Sequence, residues 1–109
     1  MSEPAARIIP LDFTVPGYQR ILGGPPGNRT LRSGFVQLEP GDAVGEHSTE
    51  QKEELIIVLD GEGELQLNGT GSMAIARGLT AYCPPDTHHN VVNTGSTVLR
   101  YVYVVTETQ

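Results

Sequence analysis

Apolar and polar residues alternate along this chain in short bursts, and each burst ends at a turn signal before a helical period can establish itself. The first clear burst carries Leu31, Phe35 and Val36 into the turn Glu39-Pro40-Gly41-Asp42. Further strands are predicted at 43–49, 54–60, 63–67, 72–76, 80–83, 88–93 and 97–105. Asp60-Gly61, Asn68-Gly69, Arg77-Gly78, Pro84-Pro85-Asp86 and Thr94-Gly95 separate them. No stretch of helical length keeps an apolar period of about 3.6 residues free of Gly or Pro, so almost no helix is expected. Short strands at near-regular spacing predict an all-β sandwich or closed barrel.

Before residue 31 the pattern is different. Pro4, Pro10, Pro16 and the run Gly23-Gly24-Pro25-Pro26-Gly27 break any long element, leaving short extended pieces at 7–9 and 19–22. The expected division is an irregular arm with short edge strands over residues 1–30 and a β-barrel domain over residues 31–109.

Two strands are apolar on both faces. Ile56 and Val58 oppose Leu55, Ile57 and Leu59, and Val102 and Val104 oppose Leu99, Tyr101 and Tyr103. A small barrel has one filled interior, so the outer apolar face needs a cover. A homodimer is the expectation, and a second layer within the chain is the alternative.

Composition narrows the functional classes. With 109 residues the chain supports one core, and 13 Gly and 8 Pro suit a structure made largely of turns and strands. Seven Lys plus Arg against 13 Asp plus Glu give a net charge of −6, with no basic cluster to neutralise phosphates. No nucleic-acid partner is expected. Neither a signal-peptide core nor a spanning apolar run occurs, so no membrane partner and a cytoplasmic location are expected. Cys83 is the sole cysteine, which excludes an intrachain disulfide and a thiolate metal cluster and predicts a small buried hydrophobe. Nucleotide-binding glycine loops and a Gly-x-Ser-x-Gly elbow are missing, and Ser48 faces away from the adjacent His47.

Candidate chemistry concentrates in two stretches, Gly41 to Gly61 and Gly78 to Asn93. Alternation puts Gly45, His47 and Thr49 on one face, and Glu54 on the face of Ile56 and Val58. If that face is interior, an ionised carboxylate enters an apolar barrel, which is costly without a cation or strong donors beside it. His88 and His89 point to opposite faces; His89 continues with Val91 and Asn93, His88 with Asn90 and Val92, and parity does not choose between them.

These stretches resemble the paired motifs of the cupin superfamily. Gly41, His47, Glu54 and Gly61 fall on the first motif, and Gly78, Pro84, His89 and Asn93 on the second, with a short gap from Glu62 to Arg77. The resemblance implies a cupin jelly roll, and it selects His47, Glu54 and His89 as ligands of a divalent metal such as Fe, Mn, Ni, Cu or Zn. It leaves His88 at the surface or rim and Asn93 as a structural amide. Two positions depart from the pattern: Thr49 stands where the second histidine would be, and Asp86 replaces a glycine. Thr49 could hold a metal-bound water, or Gln51 or Glu53 could bend in as a further ligand. The implied function is binding of, or action on, a small oxygen-rich molecule by a dioxygenase, isomerase or lyase. The alternative is a non-catalytic module that binds a sugar-like ligand in a metal-free pocket. Tyr82, Phe35, Tyr101 and Tyr103 are expected in the core rather than against a ligand.

Overall fold

The computed structural model of the protein describes residues 4–108. Their elements are all strands: β1 (Gly17–Gly23), β2 (Arg32–Leu38), β3 (His47–Ser48), β4 (Lys52–Asp60), β5 (Glu62–Leu67), β6 (Gly71–Ala76), β7 (Thr80–Cys83), β8 (His88–Val92) and β9 (Leu99–Glu107). Two antiparallel sheets result, one in the order β1-β2-β9-β4-β7 and the other β3-β8-β5-β6. The fold is the all-β double-stranded β-helix, the jelly roll. Among the described residues no helix is long and apolar enough to cross a membrane.

Alternation decides what the sheets enclose. On β4, Glu54, Ile56 and Val58 are buried while Leu55 is exposed, as the period of two requires. Val36, Leu38, Ile56, Val58, Leu65, Ile75, Cys83, Val91, Leu99 and Tyr101 form one core between the sheets. Burial of a Leu, Ile, Val or Phe side chain is worth about 1.5–3 kcal/mol relative to exposure, so this layer is the main source of cohesion.

Strand β2 is buried on both faces. Val36 looks into the core, whereas Phe35 pairs with Val102 on the outer side, where Phe13 lies over it with ring centroids 5.1 Å apart. Gln37 Nε2 donates to the carbonyls of Phe13 and Val15, at 3.1 and 2.8 Å, and the Arg100 guanidinium lies 5.5 Å from the Phe13 ring. Part of the outer cover therefore comes from the chain's own N-terminal segment. The predicted piece at 19–22 lies inside β1, which pairs with β2 along the sheet edge. The piece at 7–9 forms no strand and is exposed.

The predicted strand at 43–49 is shorter in the structure. Ala43 makes an isolated bridge to Val92, and regular pairing resumes at His47 and Ser48. Between them Gly45 adopts φ +102°, a conformation that side-chain-bearing residues avoid, and its N–H is taken by Asn90 Oδ1 at 2.9 Å. Periodicity reads side-chain character, and it cannot register a single residue that turns the backbone.

Candidate metal centre

Strands β3 and β8 pair with His47 directly opposite His89. His89 is 1% exposed and shares its inward face with buried Val91 and Asn93, which resolves the parity that the sequence left open. His88 points outward, with Nδ1 3.8 Å from Glu46 Oε1 and both side chains exposed. Glu54 arrives from β4 in the opposing sheet and is also buried. One ligand atom from each of His47, Glu54 and His89 lies within 4.8 Å of the others, so the three form a cluster that could hold a metal ion.

Hydrogen bonds orient both imidazoles. His89 Nδ1 lies 3.1 Å from the Thr87 carbonyl, and His47 Nδ1 lies 3.0 Å from the Gly45 carbonyl. Each ring thus donates from Nδ1 to a carbonyl two residues earlier and presents Nε2 as its remaining ligand atom. This outer-partner arrangement sets the tautomer of metal-binding histidines. The rings are 4.3 Å apart and tilted by 56°. His89 Nε2 meets Glu54 Oε1 at 2.9 Å. That contact raises the His89 pKa above its ordinary value, with the Thr87 carbonyl adding to the effect and burial opposing it. Without a metal, a proton bridges the two groups.

Thr49 has another task. Its hydroxyl donates to the Pro84 carbonyl at 2.7 Å and accepts from the Thr87 N–H at 3.0 Å, pinning the loop that delivers His89. Glu53 projects to the outer face and accepts from the Tyr82 hydroxyl at 2.9 Å. The Gln51 carbonyl accepts from the Thr108 N–H and hydroxyl. The two histidines and one carboxylate thus stand without Glu53, and Thr49 acts through the loop.

The cluster opens into a cavity of about 540 Å³, lined by His47 and Glu54, by Tyr18, Tyr101 and Tyr103, and by Lys52. Its remaining wall includes Val36, Leu38, Val91 and Val105. Tyr18 and Tyr103 stack with centroids 6.2 Å apart over Gly34, where an added Cβ would lie 2.5 Å from one ring and 2.6 Å from the other. Tyr101 and Tyr103 therefore line the cavity, whereas Phe35 lies under Phe13 and Tyr82 sits outside. Lys52 was legible from its shared parity with Glu54; Tyr18 required the register of β1 against β2.

Cys83 and Asn93 match their expected structural roles. Cys83 is buried opposite Glu54, and burial, with a smaller contribution from the Glu54 charge, pushes its thiol up to about 11. The thiolate is scarce at neutral pH, so the side chain is unreactive. Asn93 Nδ2 donates to the Leu38 and Thr97 carbonyls, and its Oδ1 accepts from the Gly95 N–H.

None of the curated proteins matches the chain in sequence. Among solved structures, it is similar to a cupin 2 conserved barrel domain protein from Salinispora arenicola, with 26% identity, a TM-score of 0.79 and coverage of 95% of this chain and 91% of that one. It also resembles the Schizosaccharomyces pombe Cnp3 cupin domain, at 15% identity and TM-score 0.74, covering 84% of this chain but 64% of that one. A predicted oxalate decarboxylase from Thermotoga maritima aligns at 22% identity and TM-score 0.69, covering 94% of this chain and all of that one, 100%. Residues 34–105 match the family model of the cupin domain. With two-thirds of its residues on that model and the two-sheet barrel formed around them, the chain belongs to the cupin family.

Proposed function

We propose that the protein binds one divalent metal ion through His47, Glu54 and His89, and that the metal-loaded cavity binds and transforms a small oxygen-rich molecule. The convergence of these three side chains from two sheets, with ligand atoms within 4.8 Å, carries the reading. The donor set fits: two imidazoles and one carboxylate suit Fe, Mn, Ni, Cu or Zn and leave coordination positions for solvent or substrate. The carbonyl partners on both Nδ1 atoms support it further. When bound, the metal would supply Lewis acidity or dioxygen activation.

The chain's own residues do the rest. Thr49 holds the loop in place, His89 and Glu54, which share a proton in the metal-free protein, would hold the cation together with His47, and the apolar wall would shield the ligand's body from water. Elemental analysis of the purified protein, and of protein stripped and reloaded with each metal, tests the reading. About one equivalent per chain is expected for a single three-ligand site; retention of far less for every metal overturns it. A role in binding without turnover is separated by product analysis on the same loaded samples.

The exposed Leu55 and Tyr82, at 40% and 56%, support a homodimer formed through the outer face of the five-stranded sheet. Sedimentation equilibrium tests it, and a monomer at all concentrations would refute it.

A further inference from the structure

One hydroxyl in the interior stands apart from the other buried polar groups. Ser33, Gln37, Thr49, Glu54, His89 and Asn93 are buried, and each has a hydrogen-bond partner within the protein. Tyr101 is 3% exposed, yet among the described residues its hydroxyl has no hydrogen-bond partner. No fully enclosed side-chain oxygen or nitrogen lacks a partner, so this hydroxyl meets open space, and the space its side chain lines is the cavity. A phenol whose ring is packed in the wall and whose hydroxyl is open to the cavity keeps that bond for water or for a ligand that replaces it.

We propose that Tyr101 is a ligand-binding residue, its hydroxyl donating a hydrogen bond to an anionic oxygen of a small carboxylate whose apolar or aromatic body lies against the cavity wall. The inference rests on the metal-centre reading above, because the Glu54 carboxylate would repel such an anion in the absence of a cation. Three features select this chemistry. Tyr101 pairs with Val58 on the inward face that also carries Glu54 and Ile56, two inward positions along from Val105, the partner of Glu54, and it lines the same cavity as Glu54 and His47. Burial, reinforced by the Glu54 charge, raises the phenol well above its usual range, so it remains a neutral donor at physiological pH. Lys52, two residues before Glu54 on the same strand face, brings a positive charge to the cavity lining, while Val36, Leu38, Val91 and Val105 offer an apolar bed.

The test uses the full chain loaded with cobalt(II), with metal content measured on every sample, and benzoate and toluene as probes. Affinities are read by calorimetry, and benzoate also by the visible spectrum of the cobalt. Tyr101→Phe keeps the ring and removes the hydroxyl. It is expected to weaken benzoate about tenfold to a hundredfold, as loss of a hydrogen bond to a charged group does, and to leave toluene unchanged. Tyr82→Phe, which alters the phenol on the outer face, is expected to match wild type with both probes. Equal benzoate affinity in Tyr101→Phe and wild type overturns the inference, as does an equal loss for both probes or no benzoate binding by the loaded wild-type protein. Wild-type protein that retains no cobalt overturns the metal-centre reading itself, and this inference with it. Loaded protein with a benzoate affinity indifferent to the hydroxyl overturns this inference alone.

Discussion

The inner and outer faces of the barrel carry the same kinds of polar side chain on adjacent residues, with different results. Outside, Glu53 accepts from the Tyr82 hydroxyl and Glu46 lies 3.8 Å from His88, all in reach of water. Inside, Glu54 meets His89 at 2.9 Å with both side chains almost fully buried, and Tyr101 and Tyr103 feel the same carboxylate. One residue of displacement along β4 or β8 separates a solvated contact from a candidate metal centre. Water screens the outer pairs, whereas a buried charge must be satisfied by the protein or by an ion.

The largest expected effect comes from removing the inner carboxylate. Glu54→Ala should abolish stoichiometric metal retention and lower the stability of the metal-free protein by about 3 kcal/mol, because it breaks a buried pair. Metal titration and urea denaturation would show both. Gly34→Ala comes next. Its Cβ would press into the Tyr18 and Tyr103 rings, and overpacking of this kind costs about 1–3 kcal/mol; a thermal melt, together with probe binding to the loaded cavity, measures it. If this variant were as stable as wild type, the inner face would be looser than the stacked tyrosines imply.

Thr49→Val should cost about 1–2 kcal/mol, because the Pro84 carbonyl and the Thr87 N–H both lose the same hydroxyl. Metal should still bind, more weakly if the loop moves His89, and a titration of stripped protein reads this directly. An undiminished urea midpoint would show that the loop holds its place without Thr49.

The pH dependence also distinguishes the faces. The His89 pKa is raised above its ordinary 6.5 by the Glu54 hydrogen bond. In the metal-free protein this stabilisation is therefore fully present below the ordinary value and lost as pH rises through the higher folded-state value. The stability difference between wild type and His89→Gln should shrink across that window, as followed by urea midpoints. Metal affinity should move the opposite way, rising with pH as the competing proton leaves. The smallest effect belongs outside: Glu53→Gln should shift stability by no more than about 0.5 kcal/mol and leave metal content unchanged. A loss of metal in that variant would erase the contrast between the faces.

Much of the fold was legible because its signals are local. Asp60-Gly61 closes β4, Asn68-Gly69 and Arg77-Gly78 fall between β5, β6 and β7, and the alternation of Ile56 and Val58 with Leu55 and Ile57 separates core from exterior as observed. The segment around Gly45 was misread for an equally local reason, since one left-handed glycine shortens a strand without altering the apolar pattern. Tyr101 belongs to the core and Tyr103 packs against it, as the pattern predicts, but both also form cavity wall, because parity identifies an inward face without saying where the interior is filled and where it is hollow.

The sequence by itself determined that strands and turns would dominate, that Glu54 would share a face with Ile56 and Val58, and that His88 and His89 would part. It did so because a strand's side chains alternate wherever the strand is placed. The tertiary structure decided which histidine faced inward, that Thr49 would secure a loop, that Phe13 would cover Phe35, and that Tyr101 would line a cavity. Those outcomes depend on the register between strands and on two sheets closing against each other. Both are set by contacts between residues far apart in the chain, such as His47 with His89 and Glu54 with His89, and no local pattern encodes them.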